Sequence, residues 1–199
     1  MSKDNKTQVN IDLSNRRTLV SSLNNENFQK GVEIGVRNGW YSKYILDNTG
    51  MSIECIDPWD QNPELSVGWE ESYQKCASLL ANHIESGRCR MVRDYSPQAA
   101  SQYEDETFDF VYIDGLHDYE SVKADLEAWY PKVKKGKLLC GHDYNPKKWP
   151  GVVRAVEEFC VQHSLKKHLT GIVGNAVQSH TGDLDEYDGD EYSYVLVKS

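Results

Sequence analysis

Val32-Glu33-Ile34-Gly35-Val36-Arg37-Asn38-Gly39 joins a short apolar run, Gly31–Val36, to a two-glycine turn, and a helical stretch, Trp40–Asp47, follows at once. A strand entering a helix through glycines is the opening unit of an α/β sheet, because glycine lets the backbone turn sharply and approach a ligand closely. Downstream the alternation continues. Ser52–Asp57 reads as a second strand broken by Pro58, and Tyr73, Cys76, Leu80 and Ile84 recur at helical spacing from Trp69 onward. Cys89–Val92 is a third strand, Pro97–Tyr103 a short helix, and Phe108–Ile113 an apolar run continuous enough to be a central strand. Tyr119–Val133 carries one apolar stripe, with Pro131 ending or kinking its helix early. Lys137–Cys140 is a fifth strand entered through Gly136, and Val152, Val156, Phe159 and Cys160 mark a further helix.

Leu165–Val173 and Glu191–Val197 then read as two closing strands without a helix between them, joined by an acidic loop that carries Asp183, Asp185, Glu186, Asp188 and Asp190. Strands so joined pair most simply as an antiparallel hairpin. The fold class expected is therefore α/β: a doubly wound, mainly parallel, seven-stranded, Rossmann-like sheet with helices on both faces and an antiparallel C-terminal edge hairpin. One domain is expected over 27–199, preceded by a polar leader or lid over 1–26.

The chain has 199 residues, enough for one core that needs no disulfide or metal. With 39% hydrophobic and 27% charged residues and no apolar run of membrane-spanning length, it is expected to be soluble and cytoplasmic, without a membrane partner. A formal net charge of −9 argues against nucleic acid. Cys55, Cys76, Cys89, Cys140 and Cys160 form no paired motif and read as buried thiols. A homodimer is left open.

In a doubly wound sheet, ligands bind beyond the carboxyl ends of the strands. Here each of the first five ends is polar or glycine-rich: Glu33 to Gly39, Asp57, then Arg93-Asp94-Tyr95-Ser96, Asp114-Gly115-Leu116-His117, and Gly141-His142-Asp143-Tyr144. Asp57 lies 22 residues beyond Gly35, where a ribose-binding acid belongs. The turn lacks the Gly-x-Gly-x-x-Gly spacing that admits a pyrophosphate, and its leading Glu33 would repel one. That acid suits a ligand with a cationic amino group.

The run Val32–Gly39 resembles motif I of class I S-adenosylmethionine (SAM)-dependent methyltransferases. The stretch Asp109–Tyr144, with its Ile-Asp-Gly-x-His-x-Tyr-Glu segment, Asp125 and closing Gly-His-Asp-Tyr, resembles a branch related to macrocin and catechol O-methyltransferases and cephalosporin-hydroxylase-like proteins. The resemblance implies Glu33, Gly35 and Gly39 around the methionine moiety of SAM, Arg37 among the cofactor contacts, and Asp57 at the ribose. It implies Asp94, Tyr95 and Ser96 at the adenine, and Asp114 beside the transferred methyl. Trp59 is expected among the cofactor contacts, although a tryptophan more often packs than carries adenine.

The same resemblance implies Mg²⁺ or Mn²⁺ held by Asp114 and Asp143, with His142 beside them where relatives have another oxygen ligand. Without a metal, His117 or His142 becomes the general base, and Asp114, His117 and His142 are the catalytic candidates. The function expected is O-methylation of a small-molecule or carbohydrate hydroxyl by in-line transfer. A nucleotide-dependent oxidoreductase and an inactive nucleotide-binding module stand as alternatives.

Overall fold

The computed structural model describes residues 11–60, 68–173, 176–177 and 192–199. Its elements run α1 (Arg16–Asn25), β1 (Lys30–Ile34), α2 (Trp40–Asn48), β2 (Ser52–Asp57), α3 (Trp69–Glu85), β3 (Cys89–Arg93), α4 (Ser96–Ala100) and β4 (Phe108–Ile113). There follow α5 (Tyr119–Trp129), a 3₁₀ turn (Tyr130–Lys132), β5 (Val133–Gly141), α6 (Pro150–His163), β6 (Lys167–Leu169), β7 (Ile172–Val173), β8 (Ala176–Val177) and β9 (Tyr194–Val197). The main sheet has seven strands in the order β3-β2-β1-β4-β5-β9-β6. Strands β1 to β5 pair in parallel, and β9 runs antiparallel between β5 and β6. The strand order reverses between β1 and β4, which is where such sheets open a crevice.

Period-two alternation assigns the two faces. Val111, Ile113 and Leu139 point to the layer of α4, α5 and α6, against Ala99, Val122, Leu126, Trp129, Val156 and Phe159. Phe110, Tyr112, Leu138 and Cys140 point to the opposite layer, against Leu19 and Leu23 of α1, Ile45 of α2, and Cys76 and Leu80 of α3. Helices therefore cover both faces, as the strand–helix alternation requires. All five cysteines are buried free thiols. Among the described residues no helix is long and apolar enough to cross a membrane.

Three local readings change. The second half of the polar leader is a built helix: Asn15 Oδ1 accepts from the Arg17 and Thr18 amides at 2.8 and 2.9 Å, and Thr18 Oγ1 accepts from the Asn15 amide at 3.1 Å. This is a reciprocal capping box. Leu19, Val20 and Leu23 are fully buried beneath it, each contributing about 1.5–3 kcal/mol. Within α1 three apolar positions reach the core, with Ile11 and Leu13 packed against it just upstream, so the average of the segment stays polar.

Strand β5 starts at Val133, earlier than the Gly136 turn suggests. Proline at 131 lacks the amide that would continue α5. The chain drops into pairing with Phe108, and the register then shifts before Phe110 meets Leu138. Gly136, at φ 73°, absorbs that irregularity.

The penultimate strand is also shorter than Leu165–Val173. Lys167–Leu169 pairs with β9, then Gly171 at φ 75° turns the chain into the separate β7–β8 pair. The acidic stretch from Asp183 to Asp190 lies outside the described residues.

Candidate active site

Register places the five strand ends at one level. Ile34 pairs with Ile56 and Ile113, Asp57 with Arg93, and Ile113 with Gly141. Gly35, Asp57, Asp94, Asp114 and His142 therefore line one edge of the sheet.

At the centre, the ends of β1 and β4 touch. The Asp114 amide donates to the Ile34 carbonyl at 2.8 Å, and the Gly35 amide to the Ile56 carbonyl at 2.9 Å. A Cβ on Gly35, whose φ is 85°, would lie 2.1 Å from the Asp114 carbonyl oxygen. Glycine is obligatory there for both conformation and space.

Asp57 holds the turn from the side. Its Oδ2 accepts from the Arg37 amide and its Oδ1 from the Trp59 amide, both at 2.8 Å. Burial raises its pKa, and these two amides oppose the rise. A carboxylate has about four acceptor positions, so two remain beyond these amides. Trp59, expected among the cofactor contacts, has its ring fully buried, edge-on to Tyr73 at 5.3 Å, and its indole N–H donates to the Arg37 carbonyl at 2.8 Å. It braces the turn from behind.

Glu33 is buried and accepts a hydrogen bond from Ser42 Oγ, one turn into α2. Burial pushes its carboxyl up to about 8, with Asp114 and Asp57 adding to the rise and Ser42 and Arg16 opposing it. The acid thus tends to be neutral until a cation arrives. Ser42 was not singled out from the sequence, because a serine on α2 has no signal of its own.

At the β3 end, Asp94 Oδ1 accepts from the Tyr95 amide at 2.8 Å and Oδ2 from Gln102 Nε2 at 2.9 Å. The Tyr95 ring is exposed and its hydroxyl donates to Asp60. Ser96 is drawn inward: its hydroxyl accepts from Trp129 Nε1 at 2.8 Å and pairs with Asp125, whose carboxyl burial raises to about 6. It ties α4 to α5.

Across the crevice the ends of β4 and β5 form the polar cluster. His117 Nε2 lies 2.7 Å from Asp143 Oδ2, and the His117 ring stacks on Trp149 with centroids 4.1 Å apart. Asp114, His117 and Asp143 can each present one ligand atom with all three within 4.8 Å of one another. His142 Nδ1 stands 3.4 Å from Asp143 Oδ2 and 3.8 Å from Asp114 Oδ1. His142, expected from the sequence among the ligands, thus stands at the same two carboxylates as His117. Asp143 sits at φ 59°, which turns its carboxylate toward His117. A non-glycine residue held in that region costs on the order of 1–2 kcal/mol and is a common feature of functional sites.

Burial raises the Asp114 pKa, Asp143 adds to it, and His142, Arg16 and His117 oppose it. Burial works against the His142 imidazolium, yet the two carboxylates leave its pKa above the ordinary value. Two carboxylates and an imidazole make a donor set suited to Mg²⁺ or Mn²⁺. The glycine cradle with a buried acid suits a ligand bearing an amino group.

The sheet edge thus gathers a glycine turn, buried carboxylates and two imidazoles. Residues 32–144 match the methyltransferase-domain family, more than half of the chain. The protein belongs to that family.

An uncharacterized protein of Acanthamoeba polyphaga mimivirus is 27% identical over 143 residues, covering 69% of this chain and 62% of that protein. The chain spans less than two thirds of the length of the curated relatives it matches. An O-methyltransferase from Bacillus cereus, solved in complex with S-adenosylhomocysteine (SAH), superposes with a TM-score of 0.63 at 14% identity, covering 98% of this chain and 85% of that one. A rRNA methylase from Streptococcus thermophilus superposes with a TM-score of 0.61 at 11% identity, covering 92% and 93%. At such identities the superpositions establish the fold, and their differing acceptors show that the fold leaves the acceptor open.

Proposed function

We propose that the protein is an O-methyltransferase acting on a small hydroxylated acceptor, a sugar foremost, with a divalent cation at Asp114, His117 and Asp143. The observation that carries this reading is the Asp114–His117–Asp143 cluster beside the Gly35 turn. SAM bound along the strand ends supplies an electrophilic methyl on a sulfonium. A cation in the cluster supplies a lower pKa for an acceptor hydroxyl.

The chain's own residues do the positioning. Glu33 receives the amino group, Asp57 the ribose hydroxyls, and Gly35 and Gly39 let the backbone lie close. Arg37 presents its amide to Asp57 and so shapes the turn. Asp94 and Tyr95 border the adenine end. Asp114 stands between the cofactor turn and the acceptor, and His142 keeps both neighbouring carboxylates oriented through Nδ1. Trp149 stacks on His117 and offers a flat apolar wall beside the polar groups, a combination typical of small-molecule sites.

The 2.7 Å His117–Asp143 pair also favours a second reading without metal, in which His117 accepts the acceptor's proton and Asp143 orients the imidazole. The family match sets the oxidoreductase alternative aside.

Calorimetric titration with SAM and SAH, with and without Mg²⁺ or Mn²⁺, followed by a hydroxylated-acceptor screen with methyl-transfer readout, tests the proposal. Micromolar cofactor binding with cation-dependent turnover supports it. Turnover unchanged by chelator selects the His117–Asp143 base. Absence of SAM and SAH binding under every condition overturns it.

A further inference from the structure

Arg16 comes from α1, in the stretch whose sequence reads as a polar leader, yet its guanidinium lies over the aromatic pair beside Glu33. Its Cζ lies 5.2 Å from the centre of the Tyr41 ring, and Tyr41 packs on Tyr112 with centroids 4.4 Å apart. Tyr112 is the register partner of Glu33, and Ser42, adjacent to Tyr41, holds the Glu33 carboxyl. The placement belongs to the core. The Asn15 capping box fixes the first turn of α1, and Leu19, Val20 and Leu23 anchor the helix on the sheet.

We propose that Arg16 binds the α-carboxylate of the cofactor's methionine moiety; this rests on the SAM reading above. That moiety carries an ammonium and a carboxylate on one carbon. Glu33, Asp57 and Asp114 suit the ammonium and the ribose hydroxyls, and all three repel a carboxylate. A cation is needed close to Glu33. Arg16 is the cation whose charge acts on both Glu33 and Asp114.

The arginine fork matches carboxylate geometry with two parallel hydrogen bonds, which a lysine cannot reproduce. The wall beside it is also receptive to an anion. Gly39 leaves the first turn of α2 without a side-chain cap, and the buried Tyr41 hydroxyl has no hydrogen-bond partner among the described residues. Folding α1 onto the sheet therefore completes the cofactor site as well as the core.

The test is a thermodynamic cycle on the full chain. SAH and its decarboxylated analogue, S-adenosyl-3-thiopropylamine, are titrated into the wild type, Arg16→Met and Arg16→Lys. A charge-assisted pair predicts that Arg16→Met weakens SAH by about 10- to 100-fold. Its effect on the analogue should stay below about threefold. Arg16→Lys should fall between, which keeps the test usable where methionine disturbs folding; thermal melting monitors that disturbance.

Equal weakening of both ligands would assign Arg16 a purely structural role and overturn the proposal. Unchanged SAH binding with a raised acceptor KM would overturn it in favour of an anionic acceptor. Wild-type protein that binds neither ligand would instead remove the SAM reading, and this proposal with it.

Discussion

His117 Nε2 and Asp143 Oδ2 meet at 2.7 Å, joining the loop after β4 to the end of β5. The contact arises because Ile113 and Gly141 are register partners, so the residues just beyond them emerge side by side. Trp149, at the start of α6, then holds the imidazole flat from its far side. The acidic centre is thus assembled from the loop after β4 and the loop between β5 and α6.

The cation reading predicts a ranking among variants. His117→Ala and Asp143→Asn should each weaken Mn²⁺ binding by at least about tenfold. His142→Ala should do less, since its Nδ1 stands 3.4 Å from Asp143 Oδ2, whereas His117 Nε2 stands at 2.7 Å. Electron paramagnetic resonance titration of Mn²⁺ measures this. Loss in His142→Ala with retention in His117→Ala would restore the ligand set first expected from the sequence.

Glu33 should link cofactor binding to protons. With its carboxyl raised to about 8, the folded protein carries a proton on it at pH 7 that a bound ammonium displaces. SAH binding at pH 7 should release close to one proton, seen as buffer-dependent calorimetric enthalpy, and Glu33→Gln should abolish the release. The sign for stability runs the other way from a paired acid. The unfolded chain gives up this proton near pH 4.5 and the folded chain near 8, so the stability of the unliganded protein declines as pH rises across that window. A denaturation series from pH 5 to 8 that shows no difference in slope between wild type and Glu33→Gln would contradict the assignment.

Gly35→Ala should destabilise by roughly 2–4 kcal/mol, because the added methyl meets the Asp114 carbonyl and the left-handed backbone is strained. Gly87→Ala is the control. Its φ is 75° but a Cβ there has nothing within 4 Å, so it should cost only about 1–2 kcal/mol. Urea denaturation of both proteins reads the difference.

Leu19→Ala and Leu23→Ala should each cost about 2–5 kcal/mol, the range for emptying a fully buried leucine site. Loss confined to local fraying, with global urea stability unchanged, would show that α1 behaves as a detachable lid.

Much of the fold was legible because its signals are local. Apolar runs with period two, glycines at turns and prolines at helix ends are properties of neighbouring residues. They located the first five strands and most of the helices to within a few positions. The exceptions have a common cause. In α1 three buried side chains suffice to dock a segment whose average is polar, and in β5 the partner strand, rather than the chain's own pattern, decides where pairing starts.

The sequence by itself determined which residue types stand at each strand end, since strand length and parallel register bring Glu33, Asp57, Asp94, Asp114 and His142 to one edge. Only the tertiary structure decided which way those side chains face. Trp59 turned inward to Tyr73, Ser96 went to Trp129, and Asp143, at φ 59°, met His117 at 2.7 Å and His142 at 3.4 Å. Arg16 reached Tyr41 from outside the recognisable motifs. Beyond a strand's last hydrogen bond, orientation is set by turn dihedrals and by packing against helices distant in the chain, and neither is encoded in a local pattern.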